Sequence, residues 1–386
     1  KAKALSDLKH FCFICPEFFA EGTGHCLGAV IPLAEQGIRF CPVFHLTVPL
    51  PCFLHYTTEN FTKQGICPLT DFPDFAIMGL NFQCFPQISD PTLGGGAAHG
   101  GFIMKIKICS DSTCDLSPAL IEEYDITIAP LTVSMGSSSY HDGIDITPED
   151  IFAHVDGGGA LCSTAAVSIG EYADLFSRFA SSYDAVFHVT ISSDMSACYQ
   201  NACLAAQGFS NVYVVDSWNL STGHGLVVLE ACRLAETCTD PKAMRRELQA
   251  FTSRVEASFL LGRLDYMVKG GRCSTVMALG ANLLHLKPCI EVIDGQMQVV
   301  KKYRGPMSRC LSNYVKDRLD DQKGKLVPGR IFVTHTKMED GLVSSVMEEV
   351  KGYGIFDKIT ETIAGCTVTC HCGQGTLGIL FVRDEA

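Results

Sequence analysis

Short apolar segments alternate with helix-like segments over residues 104–258, and this alternation limits the fold more than any other feature. The runs KIKIC, DAVFHVTIS and NVYVVDS have the composition of strands, and each is followed by a turn and a helix-like segment. Two helices begin with capping signals, Ser117-Pro118 and Thr147-Pro148. Strands that alternate with helices of this length form a parallel sheet that helices cover on both faces. The sequence therefore predicts an α/β fold with a doubly wound parallel sheet.

After residue 258 the pattern changes and indicates antiparallel pairing. The run IEVIDGQMQVVKKY places Asp294-Gly295 between two strand-like segments, which is typical of a hairpin turn. We therefore predict an α/β domain over residues 104–257 and an α+β domain with antiparallel pairing over residues 258–386. Ligands of such proteins usually bind in the cleft between the domains, beyond the carboxyl ends of the parallel strands.

Residues 1–103 differ from the rest of the chain in composition. They hold 9 of the 16 prolines and 13 of the 23 phenylalanines but only 13 charged residues, and they lack a sustained helical or strand period. The run GGFIM, which ends at Met104, can be encoded with a GGAGG ribosome-binding sequence just before an ATG codon. We therefore expect Met104 to be the first residue of the natural protein and residues 1–103 to be upstream sequence that folds poorly. The alternative is a small metal module with ligands from His10, Cys12, Cys15, His25 and Cys26.

Charge and cysteine usage restrict the partners and the compartment. The net charge of −12, without a clustered basic patch, argues against nucleic acid. The 20 cysteines are spread without regular spacing, so we predict reduced thiols in the cytoplasm. No apolar run reaches the roughly 18 residues of a membrane span, and no opening segment has the form of a signal peptide.

Several turns at the ends of predicted strands are rich in hydroxyl groups. They are Ser110-Asp111-Ser112-Thr113, Ser163-Thr164, Ser192-Ser193 and Asp216-Ser217. Each turn can be a simple helix cap. Together at one sheet edge, however, such turns are suited to binding a carboxylate or a phosphate. An enzyme that acts on an acyl or phosphorylated small molecule is the alternative, with Ser193 as nucleophile and His371 as base, although the chain has no G-x-S-x-G elbow.

Eight motifs follow one another between Met104 and the C-terminus: KIKICSDSTCDL, PLTVSMGSSSYHDGIDITPEDIF, STAAVSIGEY, HVTISSDMSACYQNA, VVDSWNLSTGHGLVVLEA, DYMVKGGR, LLHLKPCIEV and HCGQGTLG. Together, and in this order, they resemble the DegV family of bacterial fatty-acid-binding proteins. The resemblance implies two α/β domains with one long-chain fatty acid buried between them. It also implies a carrier without catalysis or a cofactor of its own, which presents the carboxylate to a separate ATP-dependent fatty acid kinase subunit for acyl-phosphate formation and phospholipid synthesis.

The resemblance also implies site residues. Thr164 in STAAVSIGEY and Ser193 in TISSDMS resemble the hydroxyls that hold the carboxylate, with Ser192 close by. His371 and Arg272 resemble polar positions near the head group or on the surface that faces the kinase. Asp111 is a further candidate for a position near the head group or on the surface that faces the kinase. The alternative is that Asp111 only caps the first helix. No metal site is expected, although Cys370-His371-Cys372 is a conceivable one.

The chain departs from the family pattern at two places. Ala165-Ala166-Val167 stands where many members have Ser-Gln-Pro after the binding threonine. Asp194 adds a negative charge close to the expected position of an anionic ligand. We expect these departures to change ligand affinity rather than the fold.

Overall fold

The computed structural model describes residues 103–277, 286–322 and 324–384, together with two short strands earlier in the chain. These strands, β1 (His25–Leu27) and β2 (His45–Thr47), pair antiparallel. The chain divides into two compact units, Lys1–Gly95 and Gly96–Ala386. Apart from the backbone of β1 and β2, the predictions made for residues 1–103, including the metal module, lie outside the described residues.

The second unit contains all the other described strands and helices. Its strands are β3 (Ile106–Asp111), β4 (Thr127–Ala129), β5 (Thr132–Met135), β6 (Ser138–His141), β7 (Ser163–Ala165), β8 (Ala185–Thr190), β9 (Val212–Asp216), β10 (Val255–Leu260), β11 (Leu286–Ile293), β12 (Gln296–Arg304), β13 (Arg330–His335), β14 (Lys358–Ile363) and β15 (Leu377–Val382). Its helices are α1 (Pro118–Glu123), α2 (Pro148–Asp156), α3 (Ile169–Ala180), α4 (Cys198–Ala206), α5 (Ser221–Ala235), α6 (Pro241–Phe251), α7 (Asp265–Gly270), α8 (Ser274–Met277), α9 (Met307–Asp321), α10 (Leu342–Gly352) and α11 (Cys366–Cys372). Ser112–Cys114 and Thr252–Arg254 form single 3-10 turns.

The predicted parallel sheet is present. It has the order β4-β3-β8-β9, and every pair in it is parallel. All six residues of β8 are buried, which is why this central strand has an almost continuous apolar sequence rather than an alternating one. Thr147 and Ser168 close capping boxes at the starts of α2 and α3 and so fix where these helices begin.

The antiparallel pairing predicted for the second part of the chain is also confirmed. The strands form a six-stranded sheet, β12-β11-β10-β15-β13-β14, in which only β13 and β14 pair parallel. The β11–β12 hairpin turns at Asp294-Gly295, where both residues have positive φ as a tight two-residue turn requires. A third sheet, β6-β5-β7, is antiparallel and was not predicted.

The two large sheets share hydrophobic clusters. Tyr172 and Phe176 of α3 belong to the same cluster as Phe259 and Ile290 of the six-stranded sheet. A second cluster joins Phe187 of β8 to residues of β13 and β15. A third lies between the six-stranded sheet and helices α9 and α10. The packing thus holds the sheets against one another, and the division at residue 257 stays a prediction.

Among the described helices, none combines the length and the apolar composition needed to cross a membrane.

Candidate functional site

Helix α11 carries His371 and is held at its N-terminus by two aspartate side chains from the first half of the chain. Asp142 accepts hydrogen bonds from the backbone N–H groups of Cys366 (2.8 Å) and Thr367 (3.1 Å). Asp115 accepts from the N–H of Gly365 at 2.9 Å. Negative charge at a helix N-terminus satisfies the free N–H groups and complements the helix dipole. These contacts fix α11 against the first half of the chain.

Both carboxylates are themselves held by serine hydroxyls. Ser112 Oγ donates to Asp142 at 3.0 Å, and Ser221 Oγ donates to Asp115 at 2.6 Å. Burial raises the pKa of Asp115 to about 8, while the hydrogen bonds from Ser221 and Gly365 act in the opposite direction. Asp115 is therefore a buried acid whose charge depends on pH near neutrality.

A pocket lies beside α11 and encloses about 540 Å³ of space, part of it open to solvent. Its wall is formed by Leu131, Thr164, Ala165, Ala166, Ile191, Met195, Ser196, Leu220, Met267, Arg272, Met297, Thr367, Val368, His371 and Cys372. Most of these side chains are apolar, and three are methionines, whose flexible side chains adapt to ligands of different shape. Such a pocket suits an apolar ligand with one polar end.

A second pocket of about 370 Å³ adjoins the first. The two share Leu220, Val368 and Cys372 as lining residues. The second pocket lies against strands β10, β13 and β15 of the six-stranded sheet.

The structure brings two of the predicted site residues, Thr164 and His371, into direct contact. Thr164 Oγ1 on β7 lies 2.8 Å from His371 Nε2 on α11. Burial, together with the nearby Arg272 cation, lowers the pKa of His371 to about 4. The imidazole is therefore neutral near pH 7, with one ring nitrogen protonated.

Arg272 lines the same pocket. Helix α7 ends at Gly270, and the left-handed conformation of the next residue, Gly271 (φ 69°), turns the chain sharply before Arg272. The guanidinium donates to the carbonyl oxygens of Gly270 (2.7 Å) and Met195 (3.4 Å). In the described part of the chain, Arg272 has no carboxylate partner, so its charge is available to an anion at the pocket.

The structure places Ser192 and Ser193 outside this pocket. Ser192 is buried and donates its hydroxyl to the carbonyl of Gly295 at 2.7 Å. Ser193 is exposed, and its backbone N–H donates to Asp216. Ser196, three residues later, is partly buried and lines the pocket. These hydrogen bonds set the direction of the turn, so the hydroxyl beside the pocket is that of Ser196.

Asp111 does not line the pocket either. It is fully buried and accepts hydrogen bonds from Tyr172 Oη (2.6 Å), His188 Nε2 (3.0 Å) and the N–H of Ile191 (3.1 Å). Burial alone would raise the pKa of Asp111, but the hydrogen bond and charge of His188 hold it below its ordinary value. Asp111 thus anchors the turn that leads to Ser196, and it does not cap the first helix, α1, which Ser117 caps.

The geometry does not bring together Ser193 and His371, the two residues of the enzyme alternative. That alternative needs His371 to act as base for the Ser193 hydroxyl. Nε2 of His371 instead faces Thr164, and Ser193 lies outside the pocket. In the described ranges, no cluster of three or more His, Cys, Asp or Glu side chains is placed to hold a metal ion.

Sequence reasoning missed two residues whose hydroxyl-bearing side chains line this pocket, Ser196 and Thr367. Ser196 belongs to the quoted motif HVTISSDMSACYQNA, and its position just before α4 was the available signal. Thr367 stands four residues before His371, so the two share a helix face, but only the fold reveals that α11 is a helix beside a pocket.

Comparisons with known proteins agree with this architecture. A family model described as "Uncharacterised protein, DegV family" matches residues 105–384. A DegV domain-containing protein of Clostridium acetobutylicum is 30% identical over 281 residues, which cover 72% of this chain and 99% of that protein. A fatty-acid-binding DegV family protein from Thermus thermophilus matches with a TM-score of 0.67 and 28% identity, covering 72% of this chain and 100% of that one. A stearic-acid-binding protein from Eubacterium ventriosum matches with a TM-score of 0.63 and 27% identity, covering 72% and 98%.

Proposed function

We infer the function from the premise that this chain belongs to the DegV family, whose model matches residues 105–384. The similar proteins from Thermus thermophilus and Eubacterium ventriosum bind fatty acids. This protein binds one long-chain fatty acid, with the acyl chain in the pocket beside α11 and the carboxylate at Thr164 and His371. The observation that carries the proposal is the 2.8 Å contact between these two residues at one point of a largely apolar pocket.

The apolar wall supplies most of the affinity. Burial of an acyl chain contributes about 0.8 kcal/mol per methylene, which gives roughly 10 kcal/mol for a chain of 16 carbons before the costs of association. The adjoining pocket gives room for the distal end of a longer chain.

The carboxylate needs hydrogen-bond donors because an unpaired charge in such a site is costly. A neutral His371 that donates from Nε2 to Thr164 Oγ1 leaves the threonine hydroxyl free to donate to the carboxylate. Ser196 and Arg272, which line the same pocket, supply further donors. Asp194 is exposed and does not line the pocket, so its charge acts on the ligand only through solvent.

The protein then presents the bound carboxylate to an ATP-dependent fatty acid kinase subunit, which forms the acyl phosphate used in bacterial phospholipid synthesis. Ala165 and Arg272 are both exposed and both line the pocket, which supports access of a partner to the head group. A cytoplasmic location is consistent with the cysteines of the described residues, all of which are free thiols.

Native mass spectrometry of the purified protein tests the proposal directly. A pocket with this much apolar wall should retain lipid, so mild denaturation should release about one long-chain fatty acid per protein. Empty protein that also fails to take up palmitate or oleate would contradict the carrier function. Turnover of a p-nitrophenyl acyl ester that Ser193→Ala abolishes would favour the enzyme instead.

A further inference from the structure

Thr367 presents an unused hydroxyl to the pocket. The residue is only 5% exposed and lines the pocket beside α11, and its Oγ1 has no hydrogen-bond partner among the described residues. Its backbone is fixed, because the N–H donates to Asp142 at 3.1 Å. Buried hydroxyls in proteins are nearly always paired, so this exception calls for an explanation.

A local partner does not satisfy this hydroxyl. Threonines inside helices often donate to the carbonyl four residues earlier. Thr369, on the same helix, instead donates to the carbonyl of Ala364 at 3.2 Å. Thr367 is the second residue of α11, and the residue four positions earlier is Ile363 at the end of β14, to which it makes no such bond. Its hydroxyl is therefore left for a group that enters the pocket.

The position of Thr367 relative to the head-group site restricts what that group is. Thr367 and His371 stand four residues apart on α11 and therefore share one face, separated by roughly 6 Å along the helix axis. The carboxylate is assigned to the His371 end of this face. The carboxylate hydrogen-bonds at the His371 end of this face, and a second polar group of the ligand hydrogen-bonds to Thr367, each over about 2.8 Å. The second group therefore stands only a few carbons from the carboxylate along the acyl chain.

We propose that Thr367 recognises a hydroxyl group near the carboxylate of the ligand, so that this protein accepts 3-hydroxy fatty acids as well as unsubstituted ones. This inference rests on the proposed function, because it places the carboxylate at Thr164 and His371. Pairing of the two hydroxyls satisfies Thr367 Oγ1 without moving α11. An unsubstituted acid leaves Thr367 unpaired and gains nothing from it.

Calorimetric titration of the lipid-free protein with palmitate, 3-hydroxypalmitate and 16-hydroxypalmitate tests the inference. The parent protein should bind 3-hydroxypalmitate at least as tightly as palmitate. Thr367→Val keeps the shape of the side chain and removes the hydroxyl. It should lower the affinity for 3-hydroxypalmitate about tenfold and change the affinity for palmitate less than about threefold. The distal hydroxyl of 16-hydroxypalmitate should show no dependence on this residue.

Thr367→Ser is the rescue variant, because it keeps the hydroxyl and should keep the preference for 3-hydroxypalmitate. An equal effect of Thr367→Val on both acids would overturn the inference, as would parent protein that binds 3-hydroxypalmitate tenfold more weakly than palmitate. Palmitate binding with either of these results would leave the proposed function intact. Failure of the parent protein to bind any of the three acids would overturn the proposed function and this inference with it.

Discussion

The backbone of Gly270 lies directly against the imidazole of His371, so that a Cβ atom at residue 270 would overlap Nδ1 of the ring. On its other side the same ring contacts Thr164 through Nε2. The imidazole is thus held between a glycine that leaves it room and a hydroxyl that fixes its direction.

Gly270→Ala should displace His371 and weaken fatty-acid binding about tenfold or more. Overpacking of a tight site costs about 1 to 3 kcal/mol, and here the loss falls on the head-group contact. Affinity measured by titration calorimetry checks this, with Gly329→Ala as the control because a Cβ there meets nothing within 4 Å. Unchanged affinity in Gly270→Ala would show that the position of His371 does not matter for binding.

Thr164→Val and Ser196→Ala should each lower fatty-acid affinity about tenfold to a hundredfold, since a hydrogen bond to a charged group contributes about 1.5 to 3 kcal/mol. Acyl-phosphate formation should fall further, because misplacement of the carboxylate by about 1 Å can cost a hundredfold in rate. Ser193→Ala is the matched comparison, since Ser193 is exposed and outside the pocket. If Ser193→Ala weakens binding and Ser196→Ala does not, the assignment from the family motif holds instead.

Asp142→Asn should destabilise the protein by about 1 to 3 kcal/mol, because it removes the charge that two N–H groups at the start of α11 share. Chemical denaturation of the lipid-free protein measures this change. Asp174→Asn serves as the control, since the side chain of Asp174 is exposed and makes no hydrogen bond or ion pair within the described residues. Equal stability of the two variants would refute the role given to Asp142.

Stability should fall as the pH rises from about 6.5 to 8. Burial raises the pKa of Asp115 from 3.8 to about 8, so in this range the folded state holds a proton that the unfolded state has lost. Such a group stabilises the fold below its unfolded pKa, and this contribution disappears as the pH rises through the folded value. The expected loss is about 1 to 2 kcal/mol over this range.

Two buried histidines, His224 on α5 and His371 on α11, affect the stability over a different part of the pH scale. Burial lowers the pKa of His224 and His371 from 6.5 to about 4, so their contribution is complete above pH 6.5 and is lost toward pH 4. Unfolding curves of Asp115→Asn should therefore be nearly independent of pH between 6.5 and 8. A slope equal to that of the parent protein would assign the effect to another group.

The sequence predicted those parts of the fold that depend on residues close together in the chain. The buried run of β8, the helix start at Thr147 and the tight turn at Asp294-Gly295 each follow from a few adjacent residues. The motif around residue 193 puts the predicted carboxylate contact three residues before Ser196, whose hydroxyl lines the pocket. The direction of the turn around residue 193 depends on bonds to Gly295 and Asp216, which are distant in sequence.

The attachment of α11 could not be predicted for the same reason. Asp142 and Cys366 are 224 residues apart, and no periodicity or spacing joins them. The small sheet β6-β5-β7 likewise gains its buried face from packing against α11, through Val133, Cys366 and Cys370. Contacts of this kind become visible only when the whole unit is folded.

The separation in sequence also sets an order of events during synthesis. Thr164 and His371 are 207 residues apart, and the ribosome makes β7 long before it makes α11. The parallel sheet can begin to form on the emerging chain, whereas the head-group contact must wait for the last turn of the last helix. Pairing over such distances is slow to form. Under the proposed function, a nascent chain without His371 cannot complete the head-group site, so stable capture of the ligand would mark a polypeptide in which α11 has folded.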